Sequence, residues 1–436
     1  MASPAPGRPA WLRRADIEPG QDRRRTSSAS AVLLAALDHG PVARSTIARL
    51  AGLSPAAVSR KCAELSRAGL LRDVVNEAEA KRVGRPHIPV DIDVDRPVVC
   101  GLHIAVRNAT LGVLDLRGRV MARERIAHDG AAPEPVLSRV ARRIPQFLAE
   151  HAAGRRVLGL GVATGGWVDP AAGVMVDHPI LRWRDVRVRE LLTTPTGLPV
   201  LVDSHARALV RAEQLFGDRR TRSSAVHLFV GNVVDVGFAT GGTVHHGPRS
   251  AAGAVAHLAL DGRTDPCACG RAGCLQAAVS EHTLALRAAG ERIIGEPRFA
   301  ALLAAAQAGD LRAISLFHER ARLVATAAAT LLDVLNPEVL VVAEAGVQHL
   351  PGCLEILRAE VRARSHTCAD PAATVVVTSF GGDVLPVAAG AVLLDAVYAD
   401  PRAFSMSGVA QKRQRVLLAP SASSLTKAKT VTGRTS

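Results

Sequence analysis

Aromatic residues make up only 3% of this 436-residue sequence, with one tyrosine and three tryptophans. That is too few rings for the stacking platforms that grip single-stranded nucleic acid. Lysine is scarce as well: five lysines stand against 49 arginines, a bias we ascribe mainly to a GC-rich genome. No continuous apolar run is long enough to span a bilayer; the best, Val334 to Val342, is broken by Asn336, Pro337 and Glu338. The Pro- and Arg-rich N-terminus lacks the apolar core of a signal peptide. No membrane partner is expected, and a cytoplasmic location follows.

What is present is a long, basic, otherwise ordinary chain. Its length exceeds what one hydrophobic core usually organises, so two or three domains are expected. Hydrophobic residues at 48% and charged residues at 22% fit a globular protein. The formal net charge of +14 suggests a polyanionic partner, and its distribution says more than its size. Residues 1–26 carry six arginines against three acids, and residues 27–90 carry nine basic residues against five acids. Half of the excess thus falls in the first 90 residues. With aromatics so few, duplex DNA is the better polyanion.

Along the chain, residues 1–26 read as a disordered basic arm. A helical stretch from about 29 to 71 is followed by a polar, hairpin-like segment to about 94. From Val98 the pattern changes to strands such as Val98–Ile104 and Leu111–Leu116, alternating with helices such as Val136–Glu150 and Arg207–Phe216. That alternation signals an α/β fold. A second α/β unit starts near Ala225, with strands Ala225–Val230 and Val339–Val342. The two halves could descend from one duplicated unit. Residues 401–436, rich in Ser, Thr, Lys and Arg, read as a disordered tail.

The first helix is expected over Ala29–Asp38, with Val32, Leu33, Ala36 and Leu37 buried and His39-Gly40-Pro41 stopping it. A second runs from Ser45, a plausible cap, to Ala51, with Ile47, Ala48 and Leu50 facing inward. Gly52 supplies the tight turn that a helix-turn-helix needs. The third helix opens with Ser54 as N-cap and Pro55 at its first position. Val58, Cys62 and Leu65 then face the core, leaving Ala56, Ala57, Ser59, Arg60 and Lys61 outward. On a recognition helix, the two alanines permit close approach to the groove floor, and Ser59 and Arg60 donate to bases or phosphates. The polar segment ends in Lys81-Arg82-Val83-Gly84-Arg85-Pro86, where an extended Arg85 suits a narrow minor groove. Residues 27–94 are therefore read as a winged helix-turn-helix; a helical bundle used for pairing, with a solvated wing, is the alternative.

Three of the seven cysteines fall within eight residues, as Cys267-Ala268-Cys269-Gly270-Arg271-Ala272-Gly273-Cys274, with His257 upstream. Without an oxidising compartment, such clustering points to metal rather than disulfides. Three thiolates and an imidazole suit tetrahedral zinc and close its coordination shell, which describes a structural ion. Three unrelated thiols are the plainer reading.

His-x9-Cys-x-Cys-Gly-x2-Gly-Cys, preceded by Ala251-Ala252-Gly253, resembles the signature of the ROK family of repressors, open reading frames and sugar kinases. Further similarities are Gly159 to Pro170, Leu198 to Ala206 and Asn336-Pro337-Glu338-Val339, so the resemblance spans about 29 to 400. It implies a two-lobed actin- and hexokinase-like (ribonuclease H-like) fold behind the DNA-reading segment. Lobe one would cover 95–220, completed by a helix at 384–400, and lobe two 221–383 with the zinc loop. A homodimer or homotetramer is implied too, as in the family's repressor branch.

Kinase chemistry in that family needs glycine-rich phosphate turns and a catalytic carboxylate. The first turn reads His103-Ile104-Ala105-Val106-Arg107, without its acid and glycines. His205 stands where the catalytic Asp is expected. The second turn reads Gly231-Asn232-Val233-Val234-Asp235, and the late glycine turn reads Ala343-Glu344-Ala345-Gly346. These departures argue for a non-enzyme, with a sugar kinase as the alternative. The resemblance places effector contacts at Gly166, Ser204, His205, His257 and Gln276. A sugar or sugar-derived effector would lose carboxylate clamps there. An anionic ligand drawn by His205 and Arg207, or an empty pairing scaffold, stays open.

Overall fold

A computed structural model describes residues 27–74, 88–128 and 130–404. Three helices open it: α1 (Ser28–His39), α2 (Arg44–Ala51) and α3 (Pro55–Arg67). The Ser27 hydroxyl caps α1 by accepting the Ser30 N–H at 3.1 Å. Entry into α2 differs from the sequence reading. Ala43 is the extended residue at its cap and Ser45 lies exposed in the first turn, already helical, so its hydroxyl caps nothing. Leu50 is 43% exposed rather than inward, because two turns of helix leave only Ile47 and Ala48 facing the other helices. Gly52 closes α2 in the left-handed conformation, and the Ser54 hydroxyl caps α3 by accepting the Ala57 N–H at 3.3 Å. Val58, Cys62 and Leu65 are buried as expected. Burying each of Leu33, Ile47 and Leu65 contributes roughly 1.5–3 kcal/mol.

Strands β1 (Leu71–Asp73) and β2 (Val90–Ile92) pair antiparallel as the base of a hairpin. Arg85 lies outside the described residues.

The next elements are β3 (Pro97–Ile104), β4 (Asn108–Leu114), β5 (Val120–Ala127), α4 (Pro133–His151), β6 (Arg156–Thr164), β7 (Trp167–Asp169), β8 (Val174–His178), β9 (Trp183–Val186), α5 (Val188–Thr196), β10 (Val200–Ser204) and α6 (His205–Phe216). Five of the strands form a sheet in the order β10-β6-β3-β4-β5. β3 pairs antiparallel with β4, which pairs antiparallel with β5; β6 and β10 run parallel to β3.

After a 3-10 turn at Arg219–Arg222 come β11 (Ser224–Val230), β12 (Val234–Thr240), β13 (Thr243–Val244), α7 (Leu275–Val279), α8 (Glu281–Gly290), α9 (Phe299–Gln307), α10 (Leu311–Leu335), β14 (Val339–Glu344), α11 (Ala345–His349), α12 (Cys353–Arg364), α13 (Pro371–Thr374), β15 (Val375–Val377) and α14 (Val384–Ala399). The second sheet, β13-β12-β11-β14-β15, repeats the plan of the first: a central opening strand, two antiparallel strands on one side and two parallel on the other. The molecule is thus α/β, with the two-lobed actin- and hexokinase-like topology.

Helix α14 returns to the first sheet and packs on β3, β4, β6 and α6. A Cβ on Gly161 would sit 2.1 Å from the Ala389 carbonyl oxygen, so only glycine lets helix and sheet approach this closely. The segment Gly381–Ala399 is long and apolar enough to cross a membrane by length and composition, which the reading of apolar runs missed; 67% of that window is buried inside the protein. Residues of α14 (Val387, Ala391, Leu394 and Val397) also share one apolar cluster with Val32, Leu33, Ile47 and Leu65. The helical head therefore has no separate core; it is packed directly onto α14.

Candidate functional site

Four surfaces carry chemistry: the α3 face, the cysteine loop and two cavities between the sheets. On α3, Ala56, Ser59 and Arg60 are exposed and Ala57 is half-buried. Lys61 differs from the expectation. Its ammonium pairs with Glu64 at 2.7 Å one turn on and is mostly covered. Glu64 also takes Arg402 at 2.8 Å, so an acid the sequence reading did not weigh holds this lysine off the outer face. Arg49 on α2 is exposed beside the tight turn and went unremarked in the sequence.

Within the cysteine loop, Cys267 Sγ lies 3.6 Å from His257 Nδ1, and Cys269 Sγ lies 3.7 Å from Cys274 Sγ. All four ligand atoms fall within 4.8 Å of one another. Tetrahedral zinc with Zn–S bonds of about 2.3 Å needs sulfurs about 3.7 Å apart, so the donor set fits that ion. The Arg271 backbone amide and guanidinium beside Cys269 hold its thiol down to about 6, favouring the thiolate that ligation requires. Backbone bridges Ala259–Cys274 and Pro266–Ala272 close the loop, whose residues 261–272 are all exposed or half-buried.

The first cavity, about 190 Å³, is lined by Gly166, Ser204, His257 and Gln276 among others. Four of the five residues proposed from sequence therefore meet. Ser204 Oγ accepts the Arg207 N–H at 3.3 Å as the cap of α6, which leaves its own hydrogen to donate. Gln276 Oε1 accepts the Val234 N–H at 3.2 Å, leaving its amide N–H groups. With Nδ1 turned to the thiols, His257 has Nε2 left for a ligand. Trp167, Asp177 and Asp235 line the cavity as well. The sequence reading placed Asp235 only in a phosphate turn, yet its Oδ2 lies 3.3 Å from the Gly166 N–H across the cleft.

Arg207 is not available to an anion. Its Nε donates to Asp203 at 2.8 Å, and its other nitrogens donate to the Ser250 and Val168 carbonyls at 3.0 Å each. Burial pushes the Asp203 carboxyl up, but Arg211 and Arg207 outweigh it and hold it below the usual range. The positive pull expected on an anionic ligand is thus neutralised inside the protein.

His205 belongs to the second cavity, about 330 Å³, with His103, His178, Glu281 and Glu344. Its ring stacks on His103 at 5.5 Å and packs on Phe229 at 4.3 Å between centroids. Nδ1 lies 3.3 Å from His103 Nε2, and Nε2 lies 3.0 Å from Asp235 Oδ2. Being 1% exposed and absent from the first cavity's lining, it is not placed to touch a ligand there. Burial keeps the neighbouring histidines neutral, pushing His178 down to about 4 and His103 well below its usual value.

The phosphate turns are filled from within. Glu344 Oε2 accepts the Val347 N–H at 2.7 Å at the start of α11, where a phosphate would otherwise meet free amides. Its other oxygen pairs with Arg320, which also donates to the Val279 and Val230 carbonyls. Asn232 bonds Glu281 at 3.2 Å. Acids thus stand at two of the three turns.

The ROK family model matches residues 99–394. A transcriptional regulator of Mycobacterium tuberculosis is 35% identical over 391 residues, 86% of each chain. Among solved structures, a ROK family transcriptional regulator described as a homologue of the Escherichia coli Mlc protein superposes with a TM-score of 0.71 at 22% identity, covering 85% of this chain and 96% of that one. A ROK family glucokinase from Streptomyces griseus, in complex with glucose and AMPPNP, superposes at 0.59 and 22% identity over 67% and 98%.

Proposed function

The chain belongs to the ROK family, and from that premise we propose that it is a DNA-binding transcriptional regulator whose body has lost phosphoryl transfer. The observation that carries this reading is the capped helix α3, with Ala56, Ser59 and Arg60 exposed, beside the β1–β2 hairpin. Small residues and one long donor on the outward face of a second helix are what groove reading requires. Ala57, Ser45 and Ser54 border that face and Lys61 supports it through Glu64, while Arg85 extends the reading to the minor groove.

In the body, residues 95–220 with 384–400 form one lobe and 221–383 the other, and the first cavity between them takes a small effector. Its polar groups are a hydroxyl, an amide, an imidazole and carboxylates, with Arg207 self-neutralised. That set favours a neutral, hydroxyl-rich molecule of about monosaccharide size over a sugar phosphate. The cavity is smaller than the roughly 300–1,000 Å³ of drug-sized sites, in keeping with such a ligand. His257, Cys267, Cys269 and Cys274 would hold a structural zinc ion, which fixes His257 at the cavity wall. Pairing of two copies would present two heads to a duplex, in the cytoplasm.

Selection from a randomised duplex pool tests this, followed by a mobility-shift titration with the selected duplex. A salt-sensitive, sequence-selective complex that Arg60→Ala weakens is the expected result. Absence of a selective complex, or phosphate transfer from Mg-ATP to a hexose, would overturn it.

A further inference from the structure

The C-terminus of α1 is held by arginines from the body. Arg222 grips the Asp38 carboxylate with both Nη atoms at 2.6 Å, Arg219 donates to the Asp38 carbonyl at 3.2 Å, and Arg117 donates to the Leu37 carbonyl at 3.0 Å. An acid in the last helical turn opposes the helix dipole, so Asp38 is unfavourable there unless a cation compensates it. The Arg222–Asp38 pair is two-point and directional, and its carboxylate is only 18% exposed.

What distinguishes Arg222 is its place in the chain. It ends the turn that carries the backbone from α6 in the first half to β11 in the second. Its Nε donates to the Gln214 carbonyl of α6 at 3.0 Å. Next to Gln214, the buried Glu213 carboxylate accepts from the Thr378 hydroxyl, the Ser379 N–H and the Ser379 hydroxyl at 2.9, 2.9 and 2.7 Å. Residues 378–379 lie in the stretch that returns from β15 to α14. Glu213 therefore ties together the two segments that cross between the halves. A Cβ on Gly217 would come within 1.8 Å of Glu213 Oε2, so the crossing is built around a glycine. At its other end, α6 starts in the cleft, where Ser204 and Arg207 line the first cavity.

We propose that Arg222 and Asp38 are positioning residues for the DNA-reading helices: a latch carried on the hinge between the halves, setting head orientation by how far the cleft is closed. The apolar contact between the head and α14 is non-directional and permits rocking. The ion pair is not, so it passes a rotation of the hinge to α1, against which α3 packs. Occupancy of the first cavity moves the start of α6, and the latch reads the motion at its end. This inference rests on the DNA-binding function proposed above.

The test uses the full chain, with Arg222→Gln, Asp38→Asn and the double variant. The first readout is hydrogen exchange over residues 28–67. The second is affinity for duplexes carrying two copies of the selected half-site at stepwise spacings. Wild type is expected to show one sharp spacing optimum. Each single variant should exchange faster over 28–67, lose about tenfold at the optimum and bind several spacings alike. The double variant should be no worse than either single, since one pair cannot be removed twice. Unchanged exchange with an unchanged spacing profile, a uniform loss at every spacing, or additive losses would overturn the latch. If wild type selects no duplex, the function proposed above falls, and the exchange readout alone decides the latch.

Discussion

The two cavities between the sheets are neighbours, with Val233 in both linings and Asp235 of the first against His205 of the second, yet they differ in how the groups at their key positions are used. In the first, Ser204, His257 and Gln276 each keep a donor or acceptor that no protein group uses. In the second, Glu344 occupies a helix terminus, Arg320 occupies Glu344, and histidines stack on one another. The phosphate turns of the second cavity are thus occupied from within rather than collapsed, because it is the larger of the two, while His103 Nδ1 and Gln348 Nε2 in its lining have no partner among the described residues. Volume alone is therefore a poor guide to what a cavity can bind; which groups stand at its helix termini, and whether the protein already pairs them, says more.

The comparison can be broken most forcefully at the cysteine loop, which supports the wall of the first cavity alone. Removing the metal with a strong chelator, or making Cys274→Ser, should cost on the order of 5 kcal/mol, below the roughly 10–16 kcal/mol that zinc gives small domains. Denaturant unfolding alongside metal analysis checks this, with one zinc per chain expected in untreated protein. Next in size is Glu344→Ala on the other side. It leaves Arg320, which is 0% exposed, without its carboxylate and should cost about 3–5 kcal/mol without creating affinity for Mg-AMPPNP. Nucleotide binding by that variant, read by calorimetry, would show that the second cavity is blocked by one residue rather than rebuilt.

A smaller effect sits behind the histidine stack. His227 is buried with both ring nitrogens unpartnered, and burial pushes it down to about 3. Its folded value lies below its unfolded value of about 6.5, so the unfolded chain binds the extra proton. Stability from this group is complete above that value and is lost as pH falls toward 3, by up to about 1.4 kcal/mol per pH unit. His103 and His178 add in the same direction, while burial raises Glu213 and Glu281, which act oppositely. His227→Leu should therefore stabilise the fold by about 1 kcal/mol at pH 7 and reduce the proton uptake on unfolding by close to one between pH 5 and 6. An unchanged pH slope would mean that His227 is not the neutral buried base described. Smallest is Ser54→Ala, which removes the α3 cap and should cost about 1 kcal/mol by thermal unfolding.

Much of this was legible from local spacing. The caps and glycine turn around α3, the cysteine cluster with His257, and the strands opening each half depend on residues close in sequence, where helix period, strand alternation and ligand spacing act directly. What sequence did not reveal depends on contacts over long separations. Asp235 crosses to Gly166, Arg207 is neutralised by Asp203 and by the Ser250 and Val168 carbonyls, and His205 is turned away from the ligand cavity toward His103. Lys61 shows the same limit at short range, because its i+3 partner was visible but the second contact from Arg402 to Glu64 was not. Position in a motif identified these residues; their availability was decided by the fold.

The most direct test of the central claim is a hydroxyl-radical footprint of the full chain on its selected duplex across a salt titration. Two symmetric half-sites separated by whole helical turns, with log affinity falling linearly against log salt, are the predicted result. Even protection without boundaries, or no protection at any salt concentration, would contradict it.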